Sequence, residues 1–300
     1  MKTICRAALF VGAASLSAAA AAQSARIEAE AGAVGFLQMA QQDYAKAKQA
    51  FVGRIGTNSS AAALAKLCRG EIAAAGTARP IAQAERAACA QANVQLVELP
   101  LGVDAIAIVA NHQNTWAKQL SVAELRRAWL DTPGKAVSWK QLNAGWPERP
   151  IKLYGPTAKL GLAGHYGTAL KAGAKETQRG DMTATEVLSI VVDGVAREPA
   201  ALGVLDWATY SASAKRVRLV AVEIDGKVVQ PNGRTLRDGS YGAFSYPVTL
   251  YVAKKALQDA PTKAFLEHAL ANGERLAGAA GLGALAAADY QQARNRLVSP

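Results

Sequence analysis

Along most of the chain, short apolar runs of strand length alternate with segments whose apolar residues recur at helical spacing. Residues 26–30 read as a first strand, and Ala31-Gly-Ala-Val-Gly35 as a turn of small residues. Phe36, Leu37, Met39, Ala40, Tyr44, Ala47 and Phe51 then place a helix over residues 36–52. A short strand at 54–57 leads into Thr57-Asn-Ser-Ser60, whose side chains cap a helix over residues 61–68. Residues 71–77 read as a buried strand and 83–91 as a helix. Strands follow at 95–100 and 103–110, the second apolar almost throughout, as a strand covered on both faces should be. Ser121 with Glu124 three residues on forms a capping box for a helix ending near Leu130.

The central stretch, residues 137–170, carries Trp139, Trp146 and Pro150-Ile-Lys-Leu-Tyr-Gly-Pro156. Residues 151–154 alternate as a strand, Gly155-Pro156 reads as its closing turn, and Ala163, Tyr166 and Leu170 mark a helix. Further on, the pattern predicts a helix at 183–193, strands at 200–206 and 217–222, and a hairpin through Asp225-Gly226. It then predicts a strand at 247–252, a helix at 262–276 and a last helix at 290–297. Strands and helices alternate without a long linker or an internal repeat. The expected fold class is therefore α/β, with two lobes between which the chain crosses more than once.

The first residues stand outside this pattern. Met1-Lys-Thr-Ile-Cys-Arg6 is basic, residues 7–16 are apolar, and Ala20-Ala-Ala22 offers a small-x-small cleavage site before Gln23. Residues 1–22 are thus expected to be a cleaved secretory signal peptide, because the apolar run is shorter than the ~18 to 20 residues of a membrane span. No second run approaches that length, so no transmembrane span is expected, and the Ala-rich leader points to the bacterial periplasm. Removing the leader lowers the formal charge from +11 to +9. A basic exported protein attracts anionic ligands by its long-range field. The lysines and arginines are scattered and aromatics make up only 6% of the chain, which argues against nucleic acid as a partner. The two remaining cysteines, Cys68 and Cys89, read as a disulfide in an oxidising compartment, with two free thiols as the alternative. None of His112, His165 and His268 lies near them in sequence, so no metal and no cofactor is expected.

Candidate chemistry gathers where strands end. A strand followed by a short loop and a helix N-terminus collects free backbone N–H groups and the positive end of a helix dipole around an anion. Thr157-Ala-Lys-Leu-Gly-Leu162 has that setting, with Lys159 and Gly161 in it. Ser59 and Ser60 have it at the second helix, although capping alone accounts for both. Thr77 closes a strand, and Arg79 follows it ahead of a proline, where its planar guanidinium suits an oxyanion. A surface ion pair is the alternative for Arg79. His165, on the helix after the loop, reads as a packed or exposed histidine rather than a base. No nucleophile-elbow or metal-ligand spacing is present, so the chain does not read as an enzyme.

The combination of Cys68-Arg-Gly-Glu71, Ala75-Gly-Thr-Ala-Arg-Pro-Ile81, Val103-Asp-Ala-Ile-Ala-Ile-Val-Ala-Asn111, Asn114-Thr-Trp116, Pro150-Ile-Lys-Leu-Tyr-Gly-Pro156 and Tyr246-Pro-Val-Thr-Leu-Tyr-Val252 resembles the phosphate-binding proteins of bacterial ABC importers. The resemblance covers nearly the whole mature chain. It implies a type II periplasmic binding fold, with mixed sheets flanked by helices and a hinge between the lobes. Lobe one would be residues 23–105 plus 246–300 and lobe two residues 106–245. It also implies a small anion, phosphate or another oxyanion, in the cleft, and an ABC permease as a possible partner of the closed form. On this resemblance Ser59, Ser60, Thr77, Arg79, Lys159 and Gly161 are the candidate ligand contacts.

The site departs from the family's pattern. The turn that usually carries Ser or Thr after the first strand is Ala31-Gly-Ala-Val-Gly35, and the glycine-rich loop at the next helix is Ser59-Ser-Ala-Ala-Ala63. The serine before Arg-Pro is Ala78, and the Ser-Gly-Thr loop is Leu160-Gly-Leu162. Each charge-assisted hydrogen bond contributes about 1.5 to 3 kcal/mol, so losing about four hydroxyls would remove on the order of 6 kcal/mol from phosphate binding. Two functions are therefore expected of such a chain. One is a solute receptor for phosphate or another anion; the other is a receptor-fold protein that has lost phosphate binding and serves as a scaffold, sensor or surface-associated protein.

Overall fold

The apolar run in the middle of the sequence forms one strand of 15 residues, Leu96–Ala110, instead of the two that the pattern suggests. Its register with the strand Ser245–Ala253 shifts at Leu101, between the pairs Thr249–Pro100 and Val248–Gly102, so the ladder is irregular there but the strand continues. The computed structural model describes residues 25–298 apart from residues 48, 50 and 52. The expected leader, residues 1–22, lies outside the described residues.

In chain order the strands are β1 Arg26–Ala29, β2 Arg54–Thr57, β3 Ala74–Thr77, β4 Leu96–Ala110, β5 Gln119–Ser121, β6 Lys152–Pro156, β7 Thr183–Thr185, β8 Ala201–Asp206, β9 Arg218–Leu219, β10 Ala221–Ile224, β11 Lys227–Val229 and β12 Ser245–Ala253. The α-helices are α1 Ala31–Lys46, α2 Ser60–Cys68, α3 Gln83–Gln91, α4 Val122–Trp129, α5 Trp139–Leu142, α6 Gly161–Ala169, α7 Leu188–Arg197, α8 Trp207–Ser213, α9 Gly233–Arg237, α10 Ala260–Ala271, α11 Gly273–Ala279 and α12 Ala287–Val298.

Eight strands form a sheet in the order β2-β1-β3-β12-β4-β8-β6-β7, and β9 pairs separately with β4. β4 is the shared member. Its residues up to Ala105 run antiparallel to β12, whereas Ile106 to Ala110 run antiparallel to β8. The parallel strands β2, β1 and β3 extend the first half, and β6 and β7 extend the second. The halves have separate cores. Phe36, Leu37, Leu99, Val248, Leu250 and Phe265 fill the first. Ile106, Ile108, Trp129, Trp139, Tyr166 and Tyr241 fill the second. Trp139 is fully buried, donates from Nε1 to the Ala200 carbonyl at 3.0 Å, and lies edge-on to Trp116 and Trp146. The two-lobed mixed α/β class expected of the sequence is the one observed. Among the described residues no helix is long and apolar enough to cross a membrane.

Several local expectations are corrected by packing. Ala31 to Gly35 is the first turn of α1, not a turn before it. Its small residues let the helix sit against β3: a Cβ on Gly76 would lie 2.5 Å from the Ala29 Cβ and 2.7 Å from the Ala33 Cβ. α1 ends at Lys46, short of the expected 52. Gly155-Pro156 belongs to β6, with Gly155 pressed on Trp129, where a Cβ would lie 2.9 Å from the indole. The helix expected over 183–193 is β7 followed by α7, and the strand over 217–222 is divided into β9 and β10. The helix expected over 262–276 breaks at Asn272, because Gly273 packs beneath the Tyr290 ring. α8 and α9 are too short to show a helical period.

Other local signals hold. Ser121 and Glu124 form the capping box. The β10–β11 hairpin turns through Asp225 and Gly226, whose φ values of 47° and 77° are those a two-residue hairpin loop requires. Cys68 and Cys89 form a disulfide between the end of α2 and α3, closing a separation of 21 residues. A loop of that length contributes about 3 kcal/mol by restricting the unfolded chain. The Cys68→Ala/Cys89→Ala double variant is therefore expected to melt roughly 5 to 10 °C below the oxidised parent. Scanning calorimetry in the absence of reductant checks this; equal melting temperatures would show that the bridge contributes no stability.

Candidate anion-binding cleft

The carboxyl ends of β1, β3, β6 and β8 face the line where β4 passes from one half to the other. Open α/β sheets place their ligands at such ends. β1 runs through Glu30 into α1, β3 through Ala78 into the Arg79 loop, and β6 through Thr157 to Leu160 into α6. The N-termini of α1, α2 and α6 approach one another there. Each brings backbone N–H groups and the positive end of its dipole.

Glu30 marks the meeting point. It is the N-cap residue of α1, with extended backbone (φ −72°, ψ 158°), yet its side chain makes no capping hydrogen bond to α1. The carboxylate turns outward instead. Oε2 accepts the hydroxyl proton of Ser60, the first residue of α2. Oε1 lies directly against Gly161, the first residue of α6, where any side chain would collide with it. Ser60 Oγ in turn accepts the Ala78 N–H at 3.2 Å, which leaves its own proton for Glu30. A single carboxylate thus touches the first half through Ser60 and the second through Gly161.

The remaining candidates have other partners. Ser59 Oγ caps α2 by accepting the Ala62 N–H at 3.3 Å. The Thr77 hydroxyl is fully buried and donates to the Arg79 carbonyl at 2.7 Å. Arg79 forks onto Glu85, with Nη1–Oε2 at 2.8 Å and Nη2–Oε1 at 2.6 Å. That fork, with the Ala82 N–H on the same carboxylate, holds Glu85 below the usual carboxylate range. The Glu85 hydrogen bonds, opposed by burial and aided by the Glu30 charge, raise the pKa of Arg79. Lys159 pairs with Glu186 at 2.9 Å on the outer surface. The structure therefore brings Ser60 and Gly161 together at one point, keeps Arg79 beside it, and directs the polar atoms of Ser59, Thr77 and Lys159 elsewhere.

His165, which the sequence reads as a packed or exposed histidine, and Tyr246, Asp104 and Asp206, which it does not mark as site residues, complete the cleft. His165 of α6 stacks on Tyr246 at the start of β12, with ring centroids 3.8 Å apart and planes 8° from parallel. Burial lowers its pKa, so the neutral ring is favoured in this contact between the halves. Asp104 lies in β4 immediately before the change of partner and is 4% exposed. Its Oδ1 accepts the Ala105 N–H at 2.7 Å and the Trp207 N–H at 3.3 Å, and the Tyr246 hydroxyl lies near the same carboxyl. Asp206, paired across the ladder with Ile106, caps α8 through the Thr209 N–H at 2.7 Å. Two signals in the sequence mark this region: Asp104 is the one charge between Leu99 and Ala110 of β4, and Glu30 is the acid at a strand-to-helix junction.

Two α/β halves joined by a shared strand, with helix N-termini converging between their carboxyl edges, define a two-lobed solute-receptor fold. The chain belongs to the PBP superfamily: the model of a PBP superfamily domain matches residues 18–272. It is 28% identical over 284 residues to the protein SphX of Synechococcus elongatus, a match covering 93% of this chain and 83% of that protein. It is 27% identical over 210 residues to the phosphate-binding protein PstS of Staphylococcus haemolyticus, covering 69% of this chain and 62% of that protein. Among solved structures, a possible phosphate binding protein from Planctomyces limnophilus superposes with a TM-score of 0.72 at 25% identity, covering 91% of this chain and 97% of that one. An ABC-type phosphate transport receptor from Vibrio cholerae shares the fold with a TM-score of 0.67 at 18% identity, covering 86% and 98%.

Asp104 gives the cleft a pH dependence. Burial, and then the nearby Asp206 charge, raise its pKa from 3.8 to about 7. Below 3.8 the carboxyl is protonated in both folded and unfolded chains. Between that value and about 7 the unfolded chain releases the proton and the folded chain keeps it, so stability falls as pH rises. Asparagine mimics the protonated form. Asp104→Asn is expected to raise the melting temperature at about pH 8 and to change it little at about pH 4. Thermal melts of both proteins at the two pH values check this, and an equal loss at both would overturn the assignment.

Proposed function

We propose that this chain is the periplasmic receptor of an ABC importer for phosphate or a related oxyanion, exported by the leader at residues 1–22 and acting as a binding protein, not an enzyme. The observation that carries the reading is the position of the Glu30 carboxylate. The convergence of α1, α2 and α6 already accommodates one negatively charged, oxygen-bearing group and supplies it with the Ser60 proton. Membership of the superfamily and the phosphate-binding names of the relatives support the same ligand class.

In this reading Ser60, the α6 N-terminus at Gly161, and Arg79 once released from Glu85 would contact the ligand. Backbone N–H groups would replace part of the hydrogen bonding for which the family uses hydroxyls. Leu160 would line the mouth with apolar surface, whereas Leu162 is packed into the second core. The lobes would be residues 23–105 plus 246–300 and residues 106–245, a division supported by the change of β4 partner between Ala105 and Ile106. A permease would then recognise the pair of lobes closed on ligand.

The test is thermal melting of the mature protein with millimolar phosphate, sulfate, arsenate or a phosphonate. A ligand at about 100 times its dissociation constant stabilises by about 2.7 kcal/mol. A rise in melting temperature with phosphate is expected. The absence of a rise with any of the four would overturn the reading.

A further inference from the structure

The Glu30 side chain does none of the work its position would ordinarily give it. An N-cap residue normally satisfies the free N–H groups of its own helix. Glu30 makes no such bond and reaches across to the first residues of two other helices. The position it reaches has the chemistry of an oxyanion subsite: two foreign helix N-termini, a serine hydroxyl whose lone pair is already engaged by Ala78 N–H, and the Arg79 guanidinium close enough to feel its charge. Gly161 leaves the space that Oε1 fills.

We propose that Glu30 is a built-in competitor for the oxyanion site, a carboxylate of the protein itself that occupies the subsite until a ligand displaces it. The inference rests on the receptor reading above. Ser60 has one proton to donate, and it cannot serve Glu30 and a ligand oxygen together. Two negative charges within contact distance also repel. A ligand must therefore move the Glu30 side chain out of the cleft, and the observed affinity is the intrinsic affinity reduced by that competition. Until then the same carboxylate joins the halves, bonded to Ser60 on one side and packed on Gly161 on the other. This arrangement makes Glu30 the residue that sets the ligand concentration to which the receptor responds.

The experiment is calorimetric titration of inorganic phosphate into the mature full-length protein and its Glu30→Ala and Glu30→Gln variants. Melting of each without ligand, within a few degrees of the parent, establishes that the variants fold. Glu30→Ala vacates the subsite, and Glu30→Gln keeps the shape without the charge. The dissociation constant of Glu30→Ala is expected to fall at least about tenfold, and that of Glu30→Gln to fall by less. Phosphate binding by a variant where the parent shows none supports the inference equally. If the parent binds phosphate and neither variant binds it more tightly, the inference fails while the receptor reading stands. Weaker binding by both would also overturn it, and would make Glu30 a ligand contact. If parent and variants all show no binding of phosphate, sulfate or arsenate, the receptor reading fails and the inference falls with it.

Discussion

A single continuous strand holds the two halves in register. β4 donates its first part to one sheet and its last part to the other, and the change of partner falls between Ala105 and Ile106. Residues buried on both faces of a strand have no freedom to rotate away from either sheet, so the direction of every neighbouring strand follows from it. β3, β6 and β8 all end on the same line, and the loops that leave them all open into the same space. Asp104, placed one residue before the change, is therefore drawn into the interior where the halves meet. Its raised pKa is a consequence of that position.

The cleft follows from helix termini more than from side chains. The hydroxyl pattern associated with phosphate receptors is depleted here, and most of the remaining polar candidates are engaged with their own backbone or with surface partners. What survives is geometry: three helix N-termini close together, a glycine where the approach is tightest, and one serine whose proton Glu30 now takes. Such an arrangement favours negative charge regardless of which residue or ligand supplies it. Glu30 supplies it in this structure. The same electrostatics that would retain an oxyanion favour a carboxylate at that point.

The stacked His165 and Tyr246 and the buried Asp104 add a second layer to the contact between the halves. Asp104 and Tyr246 are buried and His165 is half-buried, and each titration is displaced toward the uncharged form. Burial of ionisable groups along the seam means that separating the halves would change their proton binding as well as their contacts.

The sequence by itself determined the class of fold, because the alternation of strand-length apolar runs with helical periods is a local property. Capping residues at Ser59 and Ser121 and the Asp225-Gly226 hairpin were legible for the same reason, and the Cys68–Cys89 pairing because only two cysteines follow the expected leader. Its errors occur where a neighbour overrides local preference: small residues at 31–35 that pack a helix closely on β3, and Gly273 beneath Tyr290. The site was half legible. Ser60 and Gly161 stand out from their place before helices, but Arg79 is turned to Glu85 by an ion pair that spans six positions, and Lys159 to Glu186 on the surface. Only the tertiary structure decided what fills the cleft. Glu30, Ser60 and Gly161 belong to three separate segments, and no period or spacing in the chain records that their helices begin at one point.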